Sequence, residues 1–540
     1  MQGDFDYIIV GAGSAGSVLA YRLGADPRLR ILMLEAGGSD LVPSVQVPIG
    51  YGLSFYDARR NWKYTTEPEA GLGGRTSYWP RGKVLGGSSS INAMVYVRGH
   101  AQDFDDWQAA GATGWGWSEV EPYYRKLECW SGPSDQGRGR HGPLSVEDIS
   151  GRVHPLCDTW LKAGHEAGIG VTEDYNGGIM DGAMIYQLTT KSGLRASTAR
   201  CYLRPAMRRG NVRVVTGAHV EGIDLEEGRA VGLRYRLGQT RHSARATREI
   251  VLSAGAVNTP QILQLSGIGP GDKLQSAGVA VSVEAPAVGQ HMQDHLGVDL
   301  HFRSRVPTLN QDLRPWVGRA RAMLQYAMTR KGPLSLSVNQ GGGFVRLQDG
   351  AGPPDQQLYF SPVSYTRAAP GKRPMMSPDP FPGFLLGVSP CRPTSEGEVS
   401  LASPNPGAPP KIRPNYLSTD KDRRDMLDGI RLLRRIAGTE AFGEVIDSEI
   451  SPGTEAQCDQ ALGTHVRDTA WTVFHPCGTC RMGQDRRTSA ITPRLSVHGV
   501  GGLRVVDASI FPNITSGNLN APTIMAAERA ADLILEDARP

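Results

Sequence analysis

No stretch of this 540-residue chain stays apolar for the roughly 18 residues that a membrane-spanning helix needs. Charge of one sign is not in excess either. The formal net charge of +4 is too small to favour nucleic acid as a partner. No basic segment and apolar core precede the first strand-like run at Phe5, so no secretory signal is expected. The seven cysteines are odd in number and widely scattered, unlike a disulfide scaffold. Cys477 and Cys480 form a CxxC pair, but no second pair completes a zinc set. A buried, inert thiol pair is preferred to a redox pair, and no metal is expected. Nothing repeats internally. These absences leave a globular, cytoplasmic protein, with peripheral attachment to a membrane left open and its oligomeric state unread.

What is present is most informative at the start. Phe5–Val10 is apolar and β-prone, and it runs straight into Gly11, Gly13 and Gly16. Helix-compatible residues follow, then a second apolar run ending at Glu35. Strand, glycine turn, helix, strand and acid is the pattern of a dinucleotide cradle. The glycines allow a tight turn and a close backbone approach, and the helix N-terminus favours a diphosphate. Glu35 would accept from a ribose hydroxyl. The pattern alone does not separate NAD from FAD.

The 67 glycines and 37 prolines announce many turns, and the length calls for more than one core. NVRVVTGAHVEGIDLEEGRAVGLRYR reads as a strand and a hairpin, and IVLSAG (residues 250–255) as a buried parallel strand entering a helix. Between residues 300 and 420, proline-rich loops separate short alternating stretches such as EGEVSLAS, as in an antiparallel sheet. Residues 419–441 have helical spacing, with Thr419 or Asp420 as the cap. The proline-rich segment 353–386 is the expected lid over a substrate site.

Four further segments carry a family resemblance: GKVLGGSSSINAMVYVRGHAQDFDDW, GAVNTPQILQLSGIG, FHPCGTCRMG and VVDASIFPNITSGNLNAPTIMAAERAADLI. With the N-terminal fingerprint they closely resemble the glucose–methanol–choline (GMC) oxidoreductases, nearest the choline dehydrogenase and bacterial alcohol dehydrogenase branch. The resemblance implies an α/β fold: a Rossmann-like FAD-binding domain and a substrate domain on a mostly antiparallel sheet flanked by helices. It assigns residues 1–155, 196–305 and 465–540 to the FAD domain, and 156–195 and 306–464 to the substrate domain. Gly11, Gly13, Ser14, Ala15 and Gly16 would cradle the diphosphate, with Glu35 and Ala36 at the adenosine ribose. The Val220 backbone would lie near the adenine. Arg81, Val84, Gly87, Asn92, Ala93, Met94 and Val95 would line the flavin and ribityl chain, Asp507 and Ala508 would close over it, and Asn520 would lie against the ring.

The same resemblance makes His475 the base that takes the hydroxyl proton while hydride passes to flavin N5, a task that suits imidazole. Asn518 would be its catalytic partner, donating to the alkoxide-like oxygen. Phe474 and Trp62 are the candidate substrate contacts. Asp294 and His295 look like an acid–base dyad, but they are read as structural. Isoleucine at position 91 stands where some relatives carry the histidine that bonds to the flavin, so the expected FAD is non-covalent. The implied activity is oxidation of a primary or secondary alcohol to aldehyde or ketone, with electrons passed to an acceptor other than NAD, whose identity (quinone, dye, cytochrome or O2) the sequence leaves open. The alternatives are an oxidase that uses O2, and a hydroxynitrile lyase or photodecarboxylase-like lyase.

Overall fold

A computed structural model describes residues 4–133, 137–347, 352–366 and 377–539. Two sheets organise it. The first contains β1 (Asp4–Val10), β2 (Ile31–Glu35), β3 (Val212–Thr216), β4 (Ala218–Glu226), β5 (Arg229–Leu237), β6 (Thr240–Leu252) and β7 (Leu503–Val505). The neighbours run β3-β2-β1-β6-β7, all parallel, while β4, β5 and the first half of β6 form an antiparallel meander. In register, Ile8 faces Ile250 and Val10 faces Leu252. Every residue of β2 is buried, as a parallel strand covered on both faces requires. The β4–β5 hairpin turns at Glu227 and Gly228, whose φ values of 49° and 76° give the left-handed turn that suits strand twist.

Helix α1 (Ser14–Leu23) follows β1 directly and is buried at Ala15, Gly16, Ser17, Val18, Leu19, Ala20 and Leu23. Small residues let it lie between the sheet and the C-terminal helix α3 (Asn520–Asp537), where Arg22 pairs with Glu528 and Asp532. Helix α2 (Gly255–Leu265) leaves β6 in the same way. The three helices start at the same end of the sheet. Val10, Leu252 and Val505 are the last residues of their strands there, the usual place for a ligand in a parallel sheet.

The second sheet is antiparallel throughout: Ile446–Ser451, Leu296–Ser304, Gly383–Pro390, Gln356–Ser361, Gly341–Val345 and Gly182–Ile185, in that spatial order. Two pieces from stretches expected in the FAD domain join it. Leu296–Ser304 is its second strand, and Trp471–Thr472 pairs with Leu296 and Gly297. The helix Asp420–Ala437, capped by Thr419, packs over Gly383–Pro390. That strand, GFLLGVSP, is buried at every position, so it lacks the alternation a half-exposed strand shows. EGEVSLAS, which does alternate, supplies only Glu398–Ser400 of a two-stranded ribbon. The segment 353–386 is mostly not a lid. Its described parts hold two central strands and a small ribbon at Tyr365–Thr366 and Ser377–Pro378, while 367–376 lie outside the described residues.

Candidate active site

One continuous cavity runs from the glycine turn after β1 to the face of the second sheet, leaving about 300 Å³ for the centres of water-sized molecules. Its nucleotide end is built of backbone. Gly11 has φ 99°, and a Cβ there would stand 2.4 Å from the Ser253 carbonyl oxygen. Gly87 (φ 53°) approaches Gly13 so closely that a Cβ would meet its Cα at 2.7 Å. Neither α1 nor α3 has a side-chain cap or an acid in its first turn, so free N–H groups at both termini face the cavity. Ser14 and Asn520, one from each helix, are hydrogen-bonded at 2.8 Å. The Ser253 hydroxyl on the wall is buried without a partner. Anion-seeking N–H groups, glycines with no room for a side chain and an orphaned hydroxyl together fit the FAD diphosphate and ribityl chain.

Ala15, Ala36, Val220 and Ala508 also line this cavity. So does Glu35, whose two carboxylate oxygens accept from the Ala12 and Gly37 N–H groups at 2.9 and 2.7 Å. Burial pushes its pKa up to about 7. Asp507 accepts from Gly255 N–H at 2.8 Å and the Thr259 hydroxyl at 2.5 Å, which fixes it at the start of α2. Two expected contacts are off the wall. A Cβ on Gly16 would meet the Gly11 carbonyl oxygen at 1.9 Å, so this glycine serves helix–turn packing. Val84 is fully buried in the core behind the loop. Its backbone is bridged to Gly38.

The GGSSSIN loop brings Ile91, Asn92, Ala93, Met94 and Val95 to the cavity. Arg195, fully buried, clamps it by donating to Asn92 Oδ1 at 2.7 Å, Asn92 O at 2.8 Å and Ser89 O at 3.2 Å. Arg81 lines the cavity as well. Its guanidinium donates to Phe474 O at 2.7 Å, and burial lowers its pKa to about 10. Phe474 sits at φ 69°, a conformation that costs about 1–3 kcal/mol without glycine. Three contacts hold it there: the Arg81 bond, Phe474 N–H to Thr472 Oγ1 at 2.8 Å, and Thr472 Oγ1 to Asp294 at 2.6 Å.

The reaction end is built of side chains. His475 Nε2 lies 3.0 Å from Asn518 Nδ2, and Nδ1 lies 3.0 Å from His295 Nδ1. The protons can be placed from the far ends of this chain. His295 Nε2 meets the Cys391 carbonyl at 2.8 Å, so it must carry a proton. His295 Nδ1 is then an acceptor, His475 Nδ1 donates to it, and His475 Nε2 is left bare. From the other side, Tyr359 donates to Gln357 Oε1 at 2.9 Å, and Gln357 Nε2 donates to Asn518 Oδ1 at 3.2 Å. The Asn518 amide nitrogen therefore faces His475 as donor. Every bond agrees with one polarity, and it leaves the His475 Nε2 lone pair accepting from Asn518 on the cavity wall.

Burial, then neighbouring His295 and Arg81, hold the His475 pKa well below the ordinary histidine value. Burial takes His295 to about 4. Asp294 accepts the His475 backbone N–H at 2.7 Å and the Tyr416 hydroxyl, and burial, against these bonds, pushes its pKa up to about 6. Asp294 and His295, left without a chemical part by the sequence reading, thus both touch His475. Nothing local to VGQHMQDHLG signals that contact, because the strand that begins at Leu296, just after His295, pairs with Trp471–Thr472 only in the folded chain. Gln357 had no signal either.

Of the two proposed substrate contacts, Phe474 is beside the histidine, meets Phe55 edge-on at 5.4 Å and lies tilted against Trp471 at 5.9 Å. Trp62 lines the same cavity at its nucleotide end. It stacks on Tyr64 at 5.8 Å, lies 5.9 Å from His219 next to Val220, and carries the Lys83 ammonium over its face at 4.6 Å. That position sets it apart from Phe474, which lies next to His475 in the chain. Cys477 and Cys480 are both buried and free, with their thiol pKa values raised by burial.

Sequence profiles described as GMC oxidoreductase match residues 5–297 and 393–527. The chain belongs to the GMC oxidoreductase family. It is 41% identical over 531 residues to an oxygen-dependent choline dehydrogenase of Brucella ovis, covering 98% of this chain and 95% of the relative. The counterpart in Vibrio vulnificus is 42% identical over 544 residues, covering 99% and 95%. Among solved structures, pyridoxine 4-oxidase from Mesorbium loti superposes with a TM-score of 0.88 at 30% identity, covering 98% and 99%. A variant of Aspergillus oryzae formate oxidase gives 0.92 at 27% identity, covering 100% and 99%. This GMC protein is an FAD-dependent oxidoreductase that oxidises an alcohol or related substrate. Among the described residues no helix is long and apolar enough to cross a membrane.

Proposed function

We propose that this GMC oxidoreductase oxidises a small primary alcohol to the aldehyde, with His475 as base, Asn518 as partner and O2 as electron acceptor. The observation that carries the proposal is the bare Nε2 of His475, 3.0 Å from the Asn518 amide on the wall of the cavity that holds the nucleotide cradle. A hydroxyl taken between them would accept from Asn518 Nδ2–H and give its proton to Nε2. Bound FAD supplies the acceptor for the carbinol hydride, and passing that electron pair on to O2 gives H2O2. Proton, hydride and C=O formation then balance for one alcohol. His295 holds the charge-accepting ring in the right tautomer, as a buried acceptor on the far nitrogen does in other imidazole bases.

The pocket beside His475 is aromatic: Tyr51, Phe55, Tyr359, Tyr365, Trp471 and Phe474 line it, with the Asp299 carboxylate on the same wall. Rings and one carboxylate suit a compact apolar or cationic alcohol, choline included. Names that carry "oxygen-dependent" or "oxidase" among the relatives support O2 over a quinone, dye or cytochrome. Ile91 on the wall has no nucleophile to offer, which supports dissociable FAD.

A panel of choline, benzyl alcohol and short alkanols, run in air with H2O2 measured and again without oxygen with a dye, tests the acceptor. The oxidase reading expects one H2O2 per alcohol and fast reoxidation. Reduced flavin that persists in air while the dye turns over would return the acceptor to the dehydrogenase reading. Failure of every alcohol to bleach the flavin would favour a lyase. Acid precipitation should leave the yellow flavin in the supernatant, and flavin in the pellet would mean a covalent bond.

A further inference from the structure

The segment Trp316–Thr329 is a helix that presents its apolar residues outward. Only Ala322 and Tyr326 are buried, and Gly318 is half-buried. At 3.6 residues per turn these three share one seam. Roughly opposite that seam lie Trp316, Val317, Met323, Leu324 and Met328, exposed at 74, 57, 58, 60 and 71%. Among the described residues they are five of the twelve exposed large hydrophobic side chains. Ala320 and Ala327 fill the gaps, so the outer face carries no charge. Charge lies on its flanks and ends. Arg319 is on one side and Arg321 on the other, with Arg314 before the helix and Arg330 and Lys331 after it. Asp312 is the single acid in the same stretch. Neither Arg319 nor Arg321 meets a carboxylate among the described residues.

The helix is fixed to the body rather than loosely attached. Tyr326 donates to Gly193 O at 2.7 Å, and Arg330 lies over the Tyr326 ring at 5.1 Å. The chain then turns through Arg330 (φ 56°) and Gly332 (φ 85°) and reaches Val338 and Asn339, which line the aromatic end of the cavity. Tyr51 on that wall touches Ser337 at 3.4 Å. The outward apolar face and the mouth of the substrate pocket therefore share one short run of chain.

We propose that this helix docks the enzyme on an anionic lipid surface, with Trp316, Val317, Met323, Leu324 and Met328 among the acyl chains and the flanking arginines at the headgroups. A narrow apolar face bordered by cations and lacking anions is the pattern of an in-plane interfacial helix. Charge decides between occupants. A second copy would set arginine rows of the same sign against each other, and nucleic acid has no use for the tryptophan, leucine and methionines. Anionic headgroups answer the arginines, and the acyl boundary answers the apolar residues. The proposal goes beyond the oxidation of an alcohol and does not rest on which acceptor is used.

The FAD-loaded enzyme should sediment with vesicles of mixed phosphatidylglycerol and phosphatidylcholine at low salt. Affinity for phosphatidylcholine alone, or in high salt, should fall at least tenfold. Leu324→Glu with Met328→Glu should abolish sedimentation, and Arg319→Glu with Arg321→Glu should erase the preference for anionic lipid. Both pairs should leave oxidation of a water-soluble alcohol unchanged. In the unaltered enzyme, brominated acyl chains should quench part of the tryptophan fluorescence, and Trp316→Phe should remove that quenching. This second measurement decides the matter even if a glutamate pair unfolds the protein. Equal, weak sedimentation with both vesicle types and no quenching would overturn the proposal. So would a dimer in sedimentation equilibrium that Leu324→Glu dissociates, because the face would then belong to a second copy.

Discussion

The two ends of one cavity are made differently. At the nucleotide end Gly11, Gly13 and Gly87 bring bare backbone together, and two helix termini supply N–H groups. At the reaction end five side chains from four distant stretches, His295, Gln357, Tyr359, His475 and Asn518, must meet within hydrogen-bonding distance. Backbone donors follow from local conformation, so their position is written locally, as glycines at fixed spacing. Side-chain relays follow from the register of a sheet, and no short motif encodes that. The first end tolerates no added atoms, whereas the second tolerates no lost proton acceptor.

Substitutions should separate the two ends. Gly87→Val puts a branched side chain where even a Cβ meets Gly13 Cα at 2.7 Å, so the purified protein should lack the flavin absorbance altogether. Normal flavin content would disprove the close-approach argument. His475→Ala should load FAD yet slow anaerobic flavin reduction by about 10²–10⁴-fold, read by stopped flow. An unchanged rate would remove the base from the mechanism. His295→Ala should lower kcat by about 10²-fold through loss of the tautomer. His295→Gln, whose amide oxygen can still accept from His475 Nδ1, should recover most of it. Equal loss in both would reduce His295 to a packing role.

Smaller effects test the aromatic assignments. Phe474→Ala should raise KM for the alcohol by about tenfold with less change in kcat, the mark of lost ground-state contact. Trp62→Ala should leave that KM alone and weaken FAD retention on dilution instead. The reverse pattern would place Trp62 in the substrate set. The pH dependence has a definite sign. Neutral imidazole is the active form and the His475 pKa is depressed. Activity should therefore persist as pH falls through the usual histidine range and decline only below it. An acid limb at or above about 6.5 would show that burial does not govern this ring.

Much of the architecture was legible in the sequence. The strand–glycine–helix run at 5–35 and the apolar IVL at 250–252 carry the parallel sheet directly. The residues His475 and Asn518 were legible through their motifs, and the structure brings them together. Less legible was Gly383–Pro390, because a central strand buried on both faces loses its period. Trp62 was offered for its ring alone, and an aromatic residue type says nothing about which end of a long cavity it occupies. Gln357 was hidden because it reaches the site from a strand whose neighbours come from far along the chain, and His295, noticed but read as structural, stands just before such a strand.

The claim on which the rest depends is that His475 is neutral and carries its proton on Nδ1, with Nε2 bare toward Asn518. Nitrogen-15 NMR of histidine-labelled holoenzyme between pH 8 and pH 6 reads both nitrogens of the ring. The account predicts one neutral ring, protonated at Nδ1, that does not titrate across that range and whose signals vanish in His475→Ala. A His475 ring that is doubly protonated at neutral pH, or that carries its proton on Nε2, would contradict it.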